Sequence, residues 1–401
     1  MSLTSADLPP ASADAIAASD ALTAVIVAEI TARGGWISFA RYMELALYEP
    51  GLGYYSGGAR KFGAEGDFLT APELTPLFAQ SLARQIAQVL AASASRLIEA
   101  GAGSGRLAAD LLNALDGMGC APEHYCILEL SGELRARQQA TLAKLAPRLA
   151  GRVEWLDALP ERIDGCLIGN EVLDAMPTHA VHRDGGDGGF LEGGVGVADG
   201  RLVPVERPAH GALLEAAQAL PVQQPWRGEI GLAARSWVAD LARRIERGAM
   251  ILIDYGLPRH ELYHPRRAGG TVRCHYRHRV HDDPLWLPGL CDITSHVDFT
   301  AVAEAGFDAG LEVLGYTSQA SFLLNCGIGE LLQASGVGAG GLCMPGTPLR
   351  ATATADLRAR GAVNVLISPK EMGELFKVIA LGRGLPGPLL GFARGDRVHA
   401  L

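Results

Sequence analysis

Short apolar runs alternate with amphipathic stretches along most of this chain, from about residue 96 to residue 381. The apolar runs have the length of buried strands, and the stretches between them carry apolar residues at helical spacings. Strands that alternate with helices are typical of a parallel sheet with helices on both faces. We therefore predict an α/β fold with strands at Arg96–Ala100, Tyr125–Leu130, Val153–Leu156, Gly165–Gly169, Ala249–Asp254, Leu311–Tyr316 and Glu374–Leu381.

Helical periodicity also precedes the first predicted strand. Residues 21–48 form an N-terminal helical segment, and a further helix runs from Leu74 to Leu90. Residues 1–20 are rich in Ala, Ser, Pro and Asp and are predicted to be a mobile leader. Within the alternating region, the predicted helices are Arg106–Leu115, Glu133–Leu145, Ser321–Ala334 and 352–366.

Two segments interrupt the alternation. Residues 183–209 are rich in Gly and Asp and predict a surface hairpin. Residues 256–295 lack clear periodicity and predict a long insertion loop. We therefore divide the chain as follows. The N-terminal segment ends at residue 92, the core covers 93–255 and 296–382, and residues 383–401 form a tail.

Composition narrows the classes of protein that fit this pattern. Hydrophobic residues make up 48% of the 401 residues and charged residues 20%, which excludes an intrinsically disordered chain. The 35 basic and 44 acidic residues give a net charge of −9, which disfavours general nucleic-acid binding. The seven cysteines form no CxxC pair, and no apolar run reaches the ~18 residues of a membrane span. We expect a cytoplasmic protein with reduced thiols and no integral membrane segment.

The strongest local motif is the glycine loop Gly101-Ala-Gly-Ser-Gly105, which lies where the first predicted strand meets a helix. Glycine permits a positive φ and a close approach of a ligand to the backbone. Open α/β sheets bind ligands at this edge. The loop is therefore a candidate ligand site, and a glycine-rich turn that binds nothing is the alternative.

The spacing of Gly101, Gly103 and Gly105 is GxGxG, which differs from the dinucleotide GxGxxG fingerprint, and no P-loop Gly-Lys-Ser/Thr follows. An acidic residue two positions before such a turn, here Glu99, is typical of class I S-adenosylmethionine methyltransferases. A carboxylate at that position complements the cationic groups of the cofactor.

Further residues extend this candidate cofactor site. Glu129 ends the second predicted strand, where a carboxylate can accept hydrogen bonds from both ribose hydroxyls, and Leu130 and Ser131 follow it. The alternative is a solvent-exposed helix start with Ser131 as its N-cap. Asp157, after the third strand, is a weaker candidate for the adenine amino group, because Asp is common in loops.

The loop after the fourth predicted strand, Asn170–Pro177, carries Glu171 and Asp174. If a helix starts there, the two carboxylates share a face and can hold a guanidinium through bidentate, charge-assisted hydrogen bonds. They would align a guanidinium nitrogen with a methyl group, and Asn170 would shape the methyl site. Equally, both carboxylates can complement a helix N-terminus and take no part in chemistry.

These motifs occur together in a known family. The sequence resembles the MidA-like family, the relatives of a mitochondrial complex I assembly methyltransferase, over about residues 30–382. Each matching stretch is weak alone, and their order and spacing make the resemblance specific. The stretches are Ile37–Met43, Leu47–Tyr55, Gly66–Leu74, the glycine loop, Tyr125–Ser131, Gly169–Pro177, Ile253–Gly256, Gly270–Arg273, His296–Thr300 and Met372–Val378.

The resemblance implies a Rossmann-like class I methyltransferase fold with an antiparallel last strand, S-adenosyl-L-methionine as cofactor, and symmetric dimethylation of a protein arginine. It implies that Gly66, Asp67 and Phe68 fold over the cofactor as a lid. The mitochondrial relatives act on a complex I subunit, and the motifs leave open whether this chain acts on an equivalent respiratory subunit. Tyr255 and His296 are candidate substrate residues, although each is equally expected as a core residue.

Other functions stay open on the sequence. A non-catalytic assembly chaperone would bind the cofactor without transferring a methyl group, a nicotinamide-dependent oxidoreductase would bind NAD, and a small-molecule methyltransferase would need a closed apolar pocket. The segment 259–281 has six Arg and five His against one Glu. A metal site is disfavoured, because the spacing fits no standard zinc site. The default interpretation is an ion-paired surface loop, and the functional interpretation is a surface that docks a partner. No metal is expected, and the oligomeric state, including a homodimer, is left open.

Overall fold

The computed structural model describes residues 8–57, 70–184, 189–222, 225–267, 269–335 and 349–401, with the backbone alone for 349–356. The strands within these residues lie in three sheets. They are β1 (Ile37–Ser38), β2 (Arg96–Ala100), β3 (His124–Leu128), β4 (Val153–Leu156), β5 (Ile163–Asn170), β6 (His179–Arg183), β7 (Leu191–Ala198), β8 (Arg201–Pro208), β9 (Trp226–Ile230), β10 (Ile245–Leu257), β11 (Arg273–Tyr276), β12 (Arg279–His281), β13 (Asp292–Thr294), β14 (Val297–Asp298), β15 (Glu312–Ser318) and β16 (Phe376–Arg383).

Helices of very different length connect the strands. The described α-helices are α1 (Ala13–Ala32), α2 (Phe39–Tyr48), α3 (Ala71–Leu74), α4 (Pro76–Ala91), α5 (Arg106–Gly117), α6 (Gly132–Leu145), α7 (Gly211–Gln218), α8 (Leu232–Arg244), α9 (Arg259–Leu262), α10 (Phe299–Asp308), α11 (Gln319–Asn325), α12 (Ile328–Ala334), α13 (Leu349–Ile367) and α14 (Met372–Leu375).

The largest sheet has the strand order β15-β16-β10-β5-β2-β3-β4, and β14 pairs with the end of β10. β16 is antiparallel to both of its neighbours, while β10, β5, β2, β3 and β4 are mutually parallel. Successive residues of β2 face opposite helical layers: Leu97 packs with α4 and α5, and Ile98 packs with α8. All seven predicted strands lie in this sheet, and the expected Rossmann-like fold with an antiparallel last strand is confirmed.

The predicted hairpin at 183–209 belongs to a second sheet. β7 and β8 form an antiparallel hairpin, as expected. However, β7 also pairs with β1 of the N-terminal segment and with β6, which in turn pairs with β9. The hairpin is therefore part of a five-stranded sheet that ties the N-terminal segment to the core. The pairings of β7 with β1 and of β6 with β9 join strands distant in the sequence, so local sequence patterns could not reveal them.

The prediction of a long loop at 256–295 is wrong. This segment contains the end of β10, the short helix α9 and a three-stranded antiparallel sheet in the order β12-β11-β13. These strands have only three or four residues, which is too short to show a periodic pattern. Their inward side chains, among them Cys274 and Ile293, pack into the hydrophobic core formed around residues 8–57, which we call the N-terminal lobe.

Two helical predictions also need correction. The helix predicted at Ser321–Ala334 is divided into α11 and α12, because Gly327 has a φ of 79° between them. The leader predicted at 1–20 is helical from Ala13, after the Ser12 side chain caps α1. By length and composition α1 could cross a membrane, with a mean hydropathy of 1.6, and one side of it, including Leu22, packs in the N-terminal lobe.

Candidate active site

A cavity of about 600 Å³ lies at the carboxyl ends of β2, β3 and β5. This is the edge at which the strand order reverses, and such an edge is the usual ligand site of open α/β sheets. Among the described residues, the acidic or basic side chains that line the cavity are four Glu and one Arg, so this part of its wall is acidic. They are Glu73, Glu99, Glu129, Glu171 and Arg106, of which Arg106 is paired with Asp110 at 2.6 Å.

The glycine loop forms the base of this cavity. Gly101, Gly103 and Gly105 have φ values of 66°, 52° and 80°, which non-glycine residues rarely adopt. A Cβ on Gly105 would lie 2.9 Å from the Cα of Gln138, so the loop packs directly against α6. The φ values favour glycine at all three positions, and space also requires it at Gly101 and Gly105. Gly101 and Gly103 line the cavity.

Glu99 is the buried acid of the cavity, with 2% of its surface exposed. Its carboxylate accepts a hydrogen bond from the Tyr125 hydroxyl at 2.5 Å. Burial raises the pKa of Glu99 to about 7, and the bond from Tyr125 offsets only part of that effect. A bound cation would favour the ionised form of Glu99, because it would offset the cost of burying the negative charge.

Glu129 lies just beyond β3 and is held from two sides. Its Oε1 accepts from the Ser131 N–H at 2.9 Å, and its Oε2 accepts from the Gln138 amide at 3.1 Å. Burial raises its pKa. Leu130 lines the cavity with 79% of its surface exposed, and Ser131 both lines it and caps α6. Ser131 therefore lines the cavity and caps α6 at once, so the two interpretations of this residue do not exclude each other.

Other predicted cofactor residues lie elsewhere. Asp157 is not among the residues that line the cavity; its side chain is 90% exposed and pairs with Arg135 at 2.7 Å. An exposed, ion-paired carboxylate is expected of a loop Asp, so sequence position alone was misleading here. Gly66, Asp67 and Phe68 lie outside the described residues, and their role as a lid stays a prediction.

The turn after β5 brings Asn170 and Glu171 to the cavity, but it does not start a helix. Glu171 has a φ of 54°, and its N–H donates to the Ile253 carbonyl at 2.8 Å. A positive φ at a non-glycine residue is strained and is typical of functional turns. The Asn170 amide donates to Glu171 Oε1 at 3.0 Å, while Asn170 Oδ1 is buried and has no partner among the described residues.

The two predicted catalytic carboxylates lie close enough to interact. Burial, and next the negative charge of Asp174, raise the pKa of Glu171 to about 8. Asp174 is buried, and burial raises its pKa as well. Asp174 itself is not among the residues that line the cavity. The turn thus presents Glu171 at the surface of the cavity with Asp174 behind it.

Asp254 holds this turn in place and was missed as a site residue. Its Oδ2 accepts from the N–H groups of Val172, Leu173 and Asp174 at 3.1, 2.8 and 3.2 Å. Its Oδ1 accepts from the N–H of the next residue, Tyr255, at 2.8 Å. Burial and the nearby Asp174 raise its pKa despite these bonds. The position of Asp254 near the end of a predicted strand, beside the Asn170–Pro177 loop, was the available signal.

The predicted substrate residues lie behind the turn. Tyr255 and His296 do not line the cavity; their rings meet edge to face with centroids 5.2 Å apart. Burial and nearby Arg267 and Arg273 lower the pKa of His296 to about 4. His296 lines a second cavity of about 650 Å³, which shares Met176 with the main cavity. The structure therefore gives both residues packing roles and brings neither to the main cavity.

The N-terminal lobe supplies a wall that the sequence analysis did not assign. Tyr48, Pro50, Tyr55 and Ser56 line the cavity together with Thr70, Pro72 and Glu73. The available signal was the Leu47–Tyr55 motif, whose function the sequence alone does not indicate. Within the described part of the chain, no group of three or more His, Cys, Asp or Glu side chains is arranged to hold a metal ion.

The residues present fit S-adenosyl-L-methionine. Glu99 and Glu129 are acidic groups for a cationic ligand with ribose hydroxyls, and the free Asn170 Oδ1 is a further acceptor. The glycine loop leaves its backbone open to the cavity. Binding of an anionic pyrophosphate would favour a Lys or an unpaired Arg in the wall. The described residues that line the cavity include neither.

Comparison with known proteins agrees with this chemistry. The model of a family of S-adenosyl-L-methionine-dependent methyltransferases matches residues 81–317, more than half of the chain. "Protein arginine methyltransferase NDUFAF7, mitochondrial" from Danio rerio is 28% identical over 383 residues, which cover 86% of this chain and 83% of that protein. Its homologue from Caenorhabditis elegans is 28% identical over 329 residues, 75% of each protein.

Solved structures are closer in sequence. A crystal structure from Burkholderia thailandensis, bound to S-adenosyl-homocysteine, is 51% identical to this chain with a TM-score of 0.91. The match covers 98% of this chain and 100% of that one. A second crystal structure from the same organism is 50% identical, with a TM-score of 0.88.

The comparisons also overturn one expectation. The sequence analysis expected a cytoplasmic protein, whereas the curated relatives from Caenorhabditis elegans, Danio rerio, Mus musculus and Homo sapiens are all named as mitochondrial. Composition and the number of cysteines do not determine the compartment in which a protein resides, so they could not support that expectation.

The family match, the Burkholderia structures and the geometry of the cavity together lead to one assignment. The chain belongs to this family of S-adenosyl-L-methionine-dependent methyltransferases, and its cofactor is S-adenosyl-L-methionine.

Proposed function

We propose that this methyltransferase transfers the methyl group to an arginine side chain of a protein. The observation that carries the proposal is the pairing of Glu171, at the cavity surface, with Asp174 behind it. Two carboxylates near each other, one half-buried and one buried, repel, and a guanidinium hydrogen-bonded to Glu171 relieves that repulsion. The relatives from Danio rerio and Caenorhabditis elegans are named protein arginine methyltransferases, which supports the same acceptor.

Four parts of the cavity would hold the cofactor. The glycine loop offers its backbone, Glu99 a carboxylate for a cationic group, Glu129 acceptors for the ribose hydroxyls, and Asn170 a free amide oxygen. The bound cofactor supplies a methyl group activated by a sulfonium. The acidic wall favours that positive charge, because the low dielectric of a partly closed cavity strengthens the attraction.

Glu171 would orient the acceptor and take its proton, and the charge of Asp174 would make Glu171 more basic. Glu171 accepts from one edge of the guanidinium and directs a nitrogen toward the methyl carbon, where the N–C bond forms as the C–S bond breaks. The proton displaced from that nitrogen passes to the Glu171 carboxylate, whose raised pKa makes it a better base than an exposed Glu. Asp254 keeps the turn rigid through its bonds to three consecutive N–H groups.

The protein acceptor and the final product stay predictions. A respiratory complex I subunit and symmetric dimethylarginine follow from the family resemblance alone. The non-catalytic chaperone and the small-molecule methyltransferase are alternatives that the experiment below distinguishes. No feature of the cavity favours either of them over an arginine acceptor.

The experiment uses tritiated S-adenosyl-L-methionine and a membrane-protein extract from mitochondria or bacteria as the acceptor mixture. Labelled proteins are hydrolysed in acid, and the labelled amino acid is identified by chromatography. We expect label in methylarginines with wild type and none with Gly103→Val, whose β-branched side chain cannot adopt a φ of 52° without strain. Gly117→Ala is the control, because its Cβ meets nothing within 4 Å. Label in lysine or in small molecules would contradict the proposal.

A further inference from the structure

Two tyrosines of the N-terminal lobe form part of the cavity wall beside the Glu171 turn. Tyr48 and Tyr55 stack with ring centroids 5.5 Å apart and planes at 24°. Both line the cavity, and 39% of Tyr48 is exposed. A stacked pair with an open ring face is a ready surface for a flat ligand group.

A tight turn after α2 brings these rings together. The Gly53 N–H donates to the Glu49 carbonyl at 2.7 Å, and a Cβ on Gly53 would lie 2.6 Å from the Glu49 nitrogen. The chain then returns along the end of α2, where the Tyr55 N–H donates to the Leu47 carbonyl at 2.8 Å. Only glycine fits the turn, so the motif Leu47–Tyr55 encodes the stacked pair.

Both hydroxyls are used within the protein, which fixes the rings. The Tyr48 hydroxyl donates to the Ala175 carbonyl at 2.9 Å, and the Tyr55 hydroxyl donates to Asp292 Oδ1 at 2.8 Å. Ala175 directly follows Asp174, so Tyr48 is bonded to the same turn that carries the catalytic carboxylates. The exposed ring of Tyr48, not its hydroxyl, is the part of the pair that meets the cavity.

The surroundings of Tyr48 are negative. Burial of its hydroxyl, followed by the charges of Asp292, Asp174 and Glu129, raises the pKa of Tyr48. An aromatic face among carboxylates favours a cation, since the ring quadrupole and the charges attract it together. A guanidinium is planar and weakly hydrated and stacks on such a face, whereas an ammonium is compact and strongly hydrated.

We propose that the ring of Tyr48, stacked on Tyr55, is the surface on which the acceptor guanidinium stacks, and that Tyr48 selects arginine over lysine. This inference rests on the proposed function. The carboxylates supply charge, which either cation satisfies, and the ring supplies the preference for a flat cation. Tyr48 is thus a specificity residue of the acceptor site.

The test uses small probes of the two side chains, N-ethylguanidinium and n-butylammonium, with protein saturated by S-adenosyl-homocysteine. Binding is followed by NMR titration. We expect wild type and Tyr48→Phe to prefer ethylguanidinium. Tyr48→Leu removes the ring and should weaken ethylguanidinium binding about threefold to thirtyfold, with butylammonium little changed. The affinity for S-adenosyl-homocysteine should stay as in wild type, which also shows that the variant is folded.

The outcomes separate this inference from the proposed function. Ethylguanidinium that binds Tyr48→Leu as it binds wild type, but is lost from Glu171→Gln, overturns the role of Tyr48 and leaves the carboxylate site standing. Wild type that binds no guanidinium, or Glu171→Gln that binds it unchanged, overturns the proposed arginine site as well. Loss of S-adenosyl-homocysteine from Tyr48→Leu, with Tyr48→Phe unaffected, would assign the ring to the cofactor and overturn the inference.

Discussion

Buried carboxylates determine the chemistry of this protein at the scale of single residues. Glu99 and Glu129 lie at the ends of β2 and β3, and Glu171 directly follows β5, so their positions could be predicted from strand ends. Their burial could not, because it depends on walls that come from distant parts of the chain. Asp157 illustrates the limit, since it occupies a similar position in sequence and is nevertheless exposed.

Binding of the cofactor should release a proton from Glu99. Burial raises its pKa to about 7, so below that pH the free protein holds it protonated, and a cationic ligand favours the ionised form. Affinity for S-adenosyl-L-methionine should therefore rise as pH increases from 6 to 8, by up to about tenfold per unit below the pKa. Calorimetry in buffers of different ionisation enthalpy measures the release directly.

The matched controls for Glu99 are two substitutions. Glu99→Gln keeps a partner for Tyr125 but cannot ionise, so it should bind more weakly and without proton release. Glu133→Gln, at an exposed position of α6, should behave as wild type. Identical proton release from Glu99→Gln and wild type would assign the release to another group.

The rate of methyl transfer should follow the ionisation of Glu171. Its pKa is raised to about 8 by burial and by Asp174, and the ionised form is the one that holds the guanidinium and accepts its proton. We expect kcat/KM to rise as pH increases toward about 8 and to level off above it. A profile that is flat from pH 6 to 9 would exclude Glu171 as the group that controls the rate.

At the scale of elements, the parallel strands were predictable because each is an apolar run between helices. β11, β12 and β13 were not, since three or four residues carry no measurable period. The predicted helix start at Glu171–Asp174 failed for a specific reason. Glu171 adopts a left-handed conformation, and Asp254 takes the N–H groups of the three following residues.

Asp254 should act as a positioning residue for the turn. Asp254→Ala leaves four N–H groups without this acceptor, which we expect to lower the free energy of unfolding by about 2–4 kcal/mol and kcat by at least tenfold. Asp254→Asn retains one carbonyl oxygen and should recover part of both. Urea unfolding and a kcat–KM comparison measure these effects. A variant that loses stability but keeps kcat would limit Asp254 to a structural role.

At the scale of the whole molecule, the active site is shared between two parts of the chain. The sheet supplies the glycine loop and the carboxylates, and the N-terminal lobe supplies the tyrosine wall. The lobe is joined to the core through the pairing of β1 with β7, over more than 150 residues of chain. A single sequence shows no such long-range pairing, so the wall could not be predicted even though its motif was visible.

Gly53→Ala tests what the tyrosine wall of the N-terminal lobe contributes to the active site. The added Cβ would lie 2.6 Å from the Glu49 nitrogen, so the turn must shift and the tyrosine pair with it. We expect a loss of about 1–3 kcal/mol in stability and weaker binding of N-ethylguanidinium, with S-adenosyl-homocysteine bound as by wild type, measured by chemical unfolding and NMR titration. Gly117→Ala is again the control. Unchanged binding of N-ethylguanidinium to Gly53→Ala would mean that the placement of the tyrosine pair is not needed to hold the acceptor.

The most direct test of the central claim measures cofactor binding and methyl transfer on the same Glu171→Gln protein. The account predicts that its affinity for S-adenosyl-homocysteine stays within about twofold of wild type while transfer to arginine falls by a factor of at least about 100. Glu133→Gln, treated identically, should retain both. Transfer at the wild-type rate by Glu171→Gln would contradict the account, because the arginine would then be held and deprotonated without the carboxylate on which the mechanism depends.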